Sequence, residues 1–205
     1  MKRNILLLAL AAALTMVGSG YAGDDEKLLK IGDPAPAWVD LPGIDGKKHA
    51  LKDLKDKEVV VVVFTCNSCP VAVAYEDRLL AFHKKYCGPD KKVALVAINV
   101  NVIPEDLLPQ MQERAKVKGF AFDYLFDKTQ KIAKDFSAAV TPEFFVFGKD
   151  RKLVYKGAMD NSSIIKNVKT NYLDPAVDAA LKGERPAVQE TLGRGCAVRY
   201  LRKKD

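Results

Sequence analysis

Residues 58–70, EVVVVVFTCNSCP, decide the fold. Val59 to Val63 followed by Phe64 leave no alternation between core and solvent, so this run is predicted to be a central strand covered on both faces. Cys66 and Cys69, in C-x-x-C spacing, then lead into Pro70, a residue suited to the first turn of a helix. Across residues 70–86 (PVAVAYEDRLLAFHKKY), apolar Val71, Tyr75, Leu79, Phe82 and Tyr86 recur at the spacing of an amphipathic helix. Strand, cysteine turn and helix therefore follow one another directly.

Downstream, residues 93–100 (VALVAINV) read as a second buried strand, and residues 104–118 as a helix stopped by Gly119. A short helix is expected over 128–136. Residues 143–147 (EFFVF) and 152–156 (KLVYK) form two strands turning at 148–151, an antiparallel pair. Residues 162–182 read as a terminal helix interrupted near Asp174 and Pro175, before a polar tail from Gly183 onward. Upstream, residues 28–54 are rich in Pro, Gly and Asp and read as a looped arm. The order implies one three-layer α/β domain over residues 30–182, with a mixed central sheet flanked by helices. Residues 23–29 are expected to be a flexible lead-in and 183–205 a C-terminal tail.

The 205 residues hold one domain comfortably, and 48% hydrophobic with 29% charged residues is the balance of a soluble globular chain. Residues 1–22 combine cationic Lys2 and Arg3, an apolar run over 5–17, and small Gly20 and Ala22, which is the pattern of a secretory signal cleaved after Ala22. That run is shorter than the roughly 20 residues a bilayer span needs, so no stable membrane insertion is expected after cleavage. Thirty-three Lys and Arg face 26 Asp and Glu, a net +7, which falls to +5 when Lys2 and Arg3 leave with the signal. The charges are mixed in sign throughout, as in residues 53–58 (DLKDKE), which argues against a nucleic-acid partner. The expected location is periplasmic or extracellular, where disulfides persist.

In such a compartment the cysteine pair points to redox chemistry. The orphan N–H groups and dipole of a helix start favour an anion, so Cys66 is expected to ionise below the ordinary thiol value of roughly 8.5 and act as nucleophile. Cys69, one turn on, is placed to attack a mixed disulfide at Cys66 and release the partner. A zinc site would need two more ligands at short spacing, whereas Cys87, Cys196, His49 and His83 are scattered. A redox-inert bridge has little reason to occupy a strand-to-helix turn. His49 lies in a polar loop and His83 on the charged side of its helix, so neither is a strong candidate for copper(I) beside the cysteines. Trp38 reads either as a neighbour of the pair or as a core residue.

Strand, C-x-x-C, helix, and a later Thr141-Pro142 opening a strand are similar to thioredoxin-like proteins. The order IGDPAPAW, DGKKHALKDLK, VVVFTCNSCPVAVAYEDRL, VAINVN and VTPEFFVFGKDRKLVYKGAMD resembles the redoxin branch of the alkyl hydroperoxide reductase and thiol-specific antioxidant (AhpC/TSA) family. The resemblance implies a thioredoxin-like fold, a cis-proline at Pro142 against the cysteine pair, and a Thr141 backbone offered to a substrate peptide. It implies a thiol-disulfide oxidoreductase that needs no cofactor, acts on protein thiols or disulfides and exchanges electrons with a redox partner. Glu143, next in the chain, is a candidate acid or base beside Cys69, set against the plainer reading of an exposed strand-start glutamate.

The chain departs from its relatives in instructive places. Peroxidase members carry Thr three residues before the reactive cysteine, where this chain has Val63 or Cys66, so thiol peroxidase is the runner-up and a copper(I)-binding or noncatalytic module ranks below it. Thioredoxin's buried acid six residues before the first cysteine is replaced by Val60, which leaves the proton acceptor open. Two arrangements are open for the remaining thiols. Cys87 and Cys196 can form a bridge that ties the tail to the domain, the favoured arrangement, or the tail can fold over the site with Cys196 as a third exchange thiol and Cys87 buried and inert.

Overall fold

A computed structural model describes residues 28–201; the proposed signal and its cleavage point lie outside the described residues. The N-terminal arm holds a short ribbon, β1 (Leu41–Pro42) with β2 (Lys48–His49), before the chain enters β3 (Val59–Phe64). Every residue of β3 is fully buried. Val59, Val61 and Val63 point into one apolar cluster and Val60, Val62 and Phe64 into the other, as the two-residue period of a strand demands.

Helix α1 (Pro70–Tyr86) follows with Pro70 in its first turn and buries Tyr75, Leu79 and Phe82 against the first cluster. Each such side chain contributes roughly 1.5–3 kcal/mol of apolar burial. The chain returns as β4 (Val93–Asn99), parallel to β3. The helix expected over 104–118 is divided. Residues 104–106 make a single 3-10 turn, and α2 (Leu108–Lys118) then carries Pro109 in its first turn and ends at Gly119. Next comes β5 (Asp123–Phe126), a parallel edge strand that the apolar pattern does not reveal because it is four residues long.

After α3 (Lys131–Asp135) and the two residues of β6 (Val140–Thr141), strands β7 (Glu143–Phe147) and β8 (Leu153–Gly157) pair antiparallel, as expected. The central sheet runs β5-β4-β3-β7-β8, parallel on one side of β3 and antiparallel on the other. Helices α1 and α2 and the last helix, α4 (Leu173–Leu181), pack on one face, while α3 and the N-terminal arm, including Trp38, cover the other. Trp38 is a core residue near Phe136 rather than a neighbour of the cysteines.

The long helix expected over 162–182 is only nine residues, starting at Leu173 with Pro175 in its first turn. Upstream backbone groups are diverted to side chains. Asn161 accepts the N–H of Lys169 and Thr170, Asp160 accepts that of Ser162, and Arg78 donates to the carbonyls of Ser162 and Ser163. The tail is not loose either. It carries β9 (Cys196–Ala197), antiparallel to β6. No helix among the described residues is long and apolar enough to cross a membrane.

Candidate redox site

The loop between β3 and α1 carries both motif cysteines into a small buried cluster with Ala72, against which Cys196 packs. Cys69 forms the N-cap of α1, its sulfur accepting the N–H of Ala72 at 3.4 Å. Cys66 lies three residues upstream of that cap, so the helix-start N–H group that meets a sulfur is bonded to Cys69. The Cys66 sulfur is 3.5 Å from the Thr141 hydroxyl and 3.8 Å from that of Ser68. The Thr141–Pro142 bond is cis, and the Thr141 carbonyl oxygen lies 3.2 Å from the Cys69 sulfur. Cys66, Cys69 and Thr141 thus converge from two elements separated by more than seventy residues.

Cys196 corrects one expectation. It is bridged to Cys69, with Cα atoms 6.0 Å apart, while Cys66 and Cys87 are free and buried. A Cys87–Cys196 bridge does not form, because register decides the partner: β9 places Cys196 opposite Thr141, beside the start of α1. Cys87 sits past the other end of that 17-residue helix, about 25 Å along its axis. Burial pushes the Cys87 thiol up to about 11. The pair expected as a Cys66–Cys69 disulfide is likewise not bridged in this arrangement, since Cys69 is already joined to Cys196.

Asp106, which the sequence does not single out, organises the cysteine turn. Fully buried, it accepts the backbone N–H of Asn67 at 2.7 Å and of Ser68 at 2.9 Å on Oδ1, and the Ser68 hydroxyl at 2.6 Å and Asn101 at 3.0 Å on Oδ2. Its only sequence-level signal is a helix-start acid after Pro104. Tyr124 adds a hydrogen bond to the Asn67 side chain at 3.1 Å.

The Glu143 carboxylate is engaged by the loop backbone. Its Oε2 accepts the N–H of Ala139 at 2.7 Å and of Val140 at 3.3 Å, closing the loop that enters Pro142. Burial raises its pKa, opposed by those two hydrogen bonds and by Lys156. The side chains of the histidines make their contacts away from the motif cysteines: His49 bonds Asp45 at 2.9 Å, and His83 packs on Phe122. Among the described residues, no three His, Cys, Asp or Glu side chains gather as a metal site.

The chain is similar to thiol-disulfide oxidoreductase ResA of Bacillus cereus, 29% identical over 76% of this chain and 89% of that protein. It is similar in structure to an uncharacterized conserved protein of Geobacillus kaustophilus, at 32% identity and a TM-score of 0.79, covering 87% of this chain and 96% of that one. A putative thioredoxin of Neisseria meningitidis, 23% identical over 72% of this chain and 89% of its own, shares the fold at a TM-score of 0.57. The thioredoxin-like fold expected from the cysteine turn and Thr141-Pro142 is therefore the fold observed. The AhpC/TSA family model matches residues 31–156, spanning the arm, the cysteine turn, the cis-proline and β8, and the chain belongs to the AhpC/TSA family.

Proposed function

We propose that the protein is an exported thiol-disulfide oxidoreductase that exchanges disulfides with protein thiols through Cys66 and Cys69. The observation that carries this reading is a free thiol, Cys66, held in the same buried cluster as a disulfide sulfur, Cys69, against the Thr141–Pro142 cis bond. The similarity to a protein named thiol-disulfide oxidoreductase supports it, and the leader-like residues 1–22 support export.

In the reduced enzyme the Cys66 thiolate attacks a client disulfide; one client sulfur joins Cys66 and the other leaves as a thiol. The Cys69 thiolate then attacks the Cys66 sulfur, the client's second sulfur leaves with a proton, and the enzyme retains a Cys66–Cys69 disulfide. Two electrons pass to the client, and a redox partner resets the pair. The Thr141 hydroxyl near the Cys66 sulfur is a donor for its anionic form, while the Ser68 hydroxyl proton is given to Asp106. Asp106 is a positioning residue: by holding Asn67 and Ser68 it fixes the turn between the two sulfurs. Among the described residues the groups bonded at the Cys66 sulfur are hydroxyls, with no arginine of the kind the peroxidase alternative needs, and Arg78 and Arg114 are paired with Asp160 and Glu76.

Equilibration of the mature protein in glutathione buffers of graded poise, with alkylated thiols counted by mass, tests the reading. Two thiols should titrate reversibly with a midpoint within the roughly −120 to −270 mV span of exchange proteins. A protein whose thiols never titrate, or a Cys66→Ser variant that still exchanges with a protein disulfide, overturns it.

A further inference from the structure

Exchange through Cys66 and Cys69 alone uses neither Cys196 nor the strand that carries it. That strand is specifically seated. Thr141 is paired with Cys196 and Val140 with Ala197, so the backbone edge beside the cis-proline is occupied. On one side of β9 the Thr191 hydroxyl bonds Tyr155 and the N–H of Ala158, both at 2.9 Å. On the other, the Gln130 side chain donates to the Arg199 carbonyl at 2.9 Å and accepts the Leu201 N–H at 2.7 Å. Between these anchors the chain runs past both motif cysteines as an added edge strand, the mode in which extended peptides dock on sheet edges. Under it Cys66 and Cys69 are each only 3% exposed, too little for a protein client to reach, while Cys196 is partly open.

We propose that Cys196 is a third exchange cysteine: β9 holds the place of a client strand, and the disulfide migrates between Cys69–Cys196 and Cys66–Cys69. The Cys66 thiolate attacks the Cys69 sulfur, the Cys69–Cys196 bond breaks as the Cys66–Cys69 bond forms, and the proton lost by Cys66 is recovered by Cys196. No electrons are gained or lost. The released Cys196 frees the tail to lift, uncovering Thr141 and presenting the oxidised Cys66–Cys69 pair to the dithiol of the redox partner that resets it. In the bridged state the tail covers the site. This inference rests on the exchange function proposed above and assigns that site its own tethered competitor.

Tryptic mapping of the full mature chain separates the two states. A Cys69–Cys196 bridge joins peptide 58–78 to peptide 195–199, whereas a Cys66–Cys69 bridge leaves peptide 58–78 internally closed and Cys196 open to alkylation. The bridged form should be isolated under acid, returned to mildly alkaline buffer without redox reagents, and sampled over time. The internally closed form should then appear at the expense of the joined one, and this interconversion should be lost in Cys66→Ser, with Cys66→Ala as the second variant. Iodoacetamide should also alkylate Cys66 several-fold faster in the reduced Cys196→Ser variant than in the bridged wild type, where the tether keeps the tail seated. A joined form that never converts while two thiols still titrate in glutathione overturns the relay and leaves the exchange function standing. Recovery of the internally closed form alone, with the joined form absent, overturns it equally. If no thiols titrate, the exchange function fails first and the relay falls with it.

Discussion

Ser68 gives both its backbone N–H and its hydroxyl to the carboxylate of Asp106, at 2.9 and 2.6 Å. The turn between the motif cysteines is thus held by a residue from the loop after β4 rather than by its own backbone. Asp106→Asn keeps the shape but replaces one acceptor oxygen by an NH2 group that meets the donors of Ser68 or Asn101. With buried donors left unpaired, unfolding stability should fall by about 1–3 kcal/mol. A urea titration that returns the wild-type midpoint would show that the clamp contributes nothing.

Cys87 should behave as a core residue. Burial pushes its thiol up to about 11, so in mildly alkaline buffer almost none of it is thiolate. Iodoacetamide applied to the reduced native protein should spare Cys87 and label it only after denaturant is added. Cys87→Ser should leave disulfide exchange intact. Native labelling of Cys87 at the rate of Cys66 would contradict this.

What the sequence disclosed depended on how local each signal was. The valine run of β3, the amphipathic spacing of α1 and the Thr141-Pro142 dipeptide are each legible in a few consecutive residues, and together they gave the sheet, the cysteine turn and the loop facing it. Four residues of β5 and two of β9 carry no comparable period. Cys196 and Cys69 are 127 residues apart, a separation over which nothing in the chain sets register, so only the pairing of β9 with β6 shows which cysteine meets which. Asp106 was hidden for a related reason: an acid in a helix-start context usually serves its own helix, and this one instead turns towards Asn67 and Ser68.

Glu143 gives the loop before the cis-proline a pH dependence. Its folded pKa is raised, first by burial, so the fold favours the neutral carboxyl. A raised value means that the stability this group contributes is fully present below the ordinary glutamate range and is lost as pH rises through the folded value. Glu143→Gln retains a carbonyl oxygen for the N–H groups of Ala139 and Val140 but does not ionise. The difference in thermal midpoint between wild type and this variant should therefore shift in favour of the variant from acid to neutral pH. A constant difference across that range would remove Glu143 as its source.

The seating of the tail depends on close backbone approach at two glycines. Gly157 has φ +133°, a region that side chains rarely adopt, and a Cβ there would overlap the Thr191 carbonyl; a Cβ on Gly195 would overlap that of Thr141. Neither overlap can be relieved by rotating a side chain, because both partners are backbone. In the disulfide-reduced protein, Gly195→Ala should therefore unseat β9 while the sheet and α1 stay folded. Trypsin should then cut at Arg194 and Arg199 faster than in reduced wild type, because local opening exposes those bonds. Circular dichroism should show no loss of the core. Gly157→Ala adds backbone strain of about 1–3 kcal/mol within β8 itself, so it should lower global stability as well as release the tail. Equal cleavage rates in Gly195→Ala and reduced wild type would show that the Thr141–Cys196 pairing does not hold the tail in place.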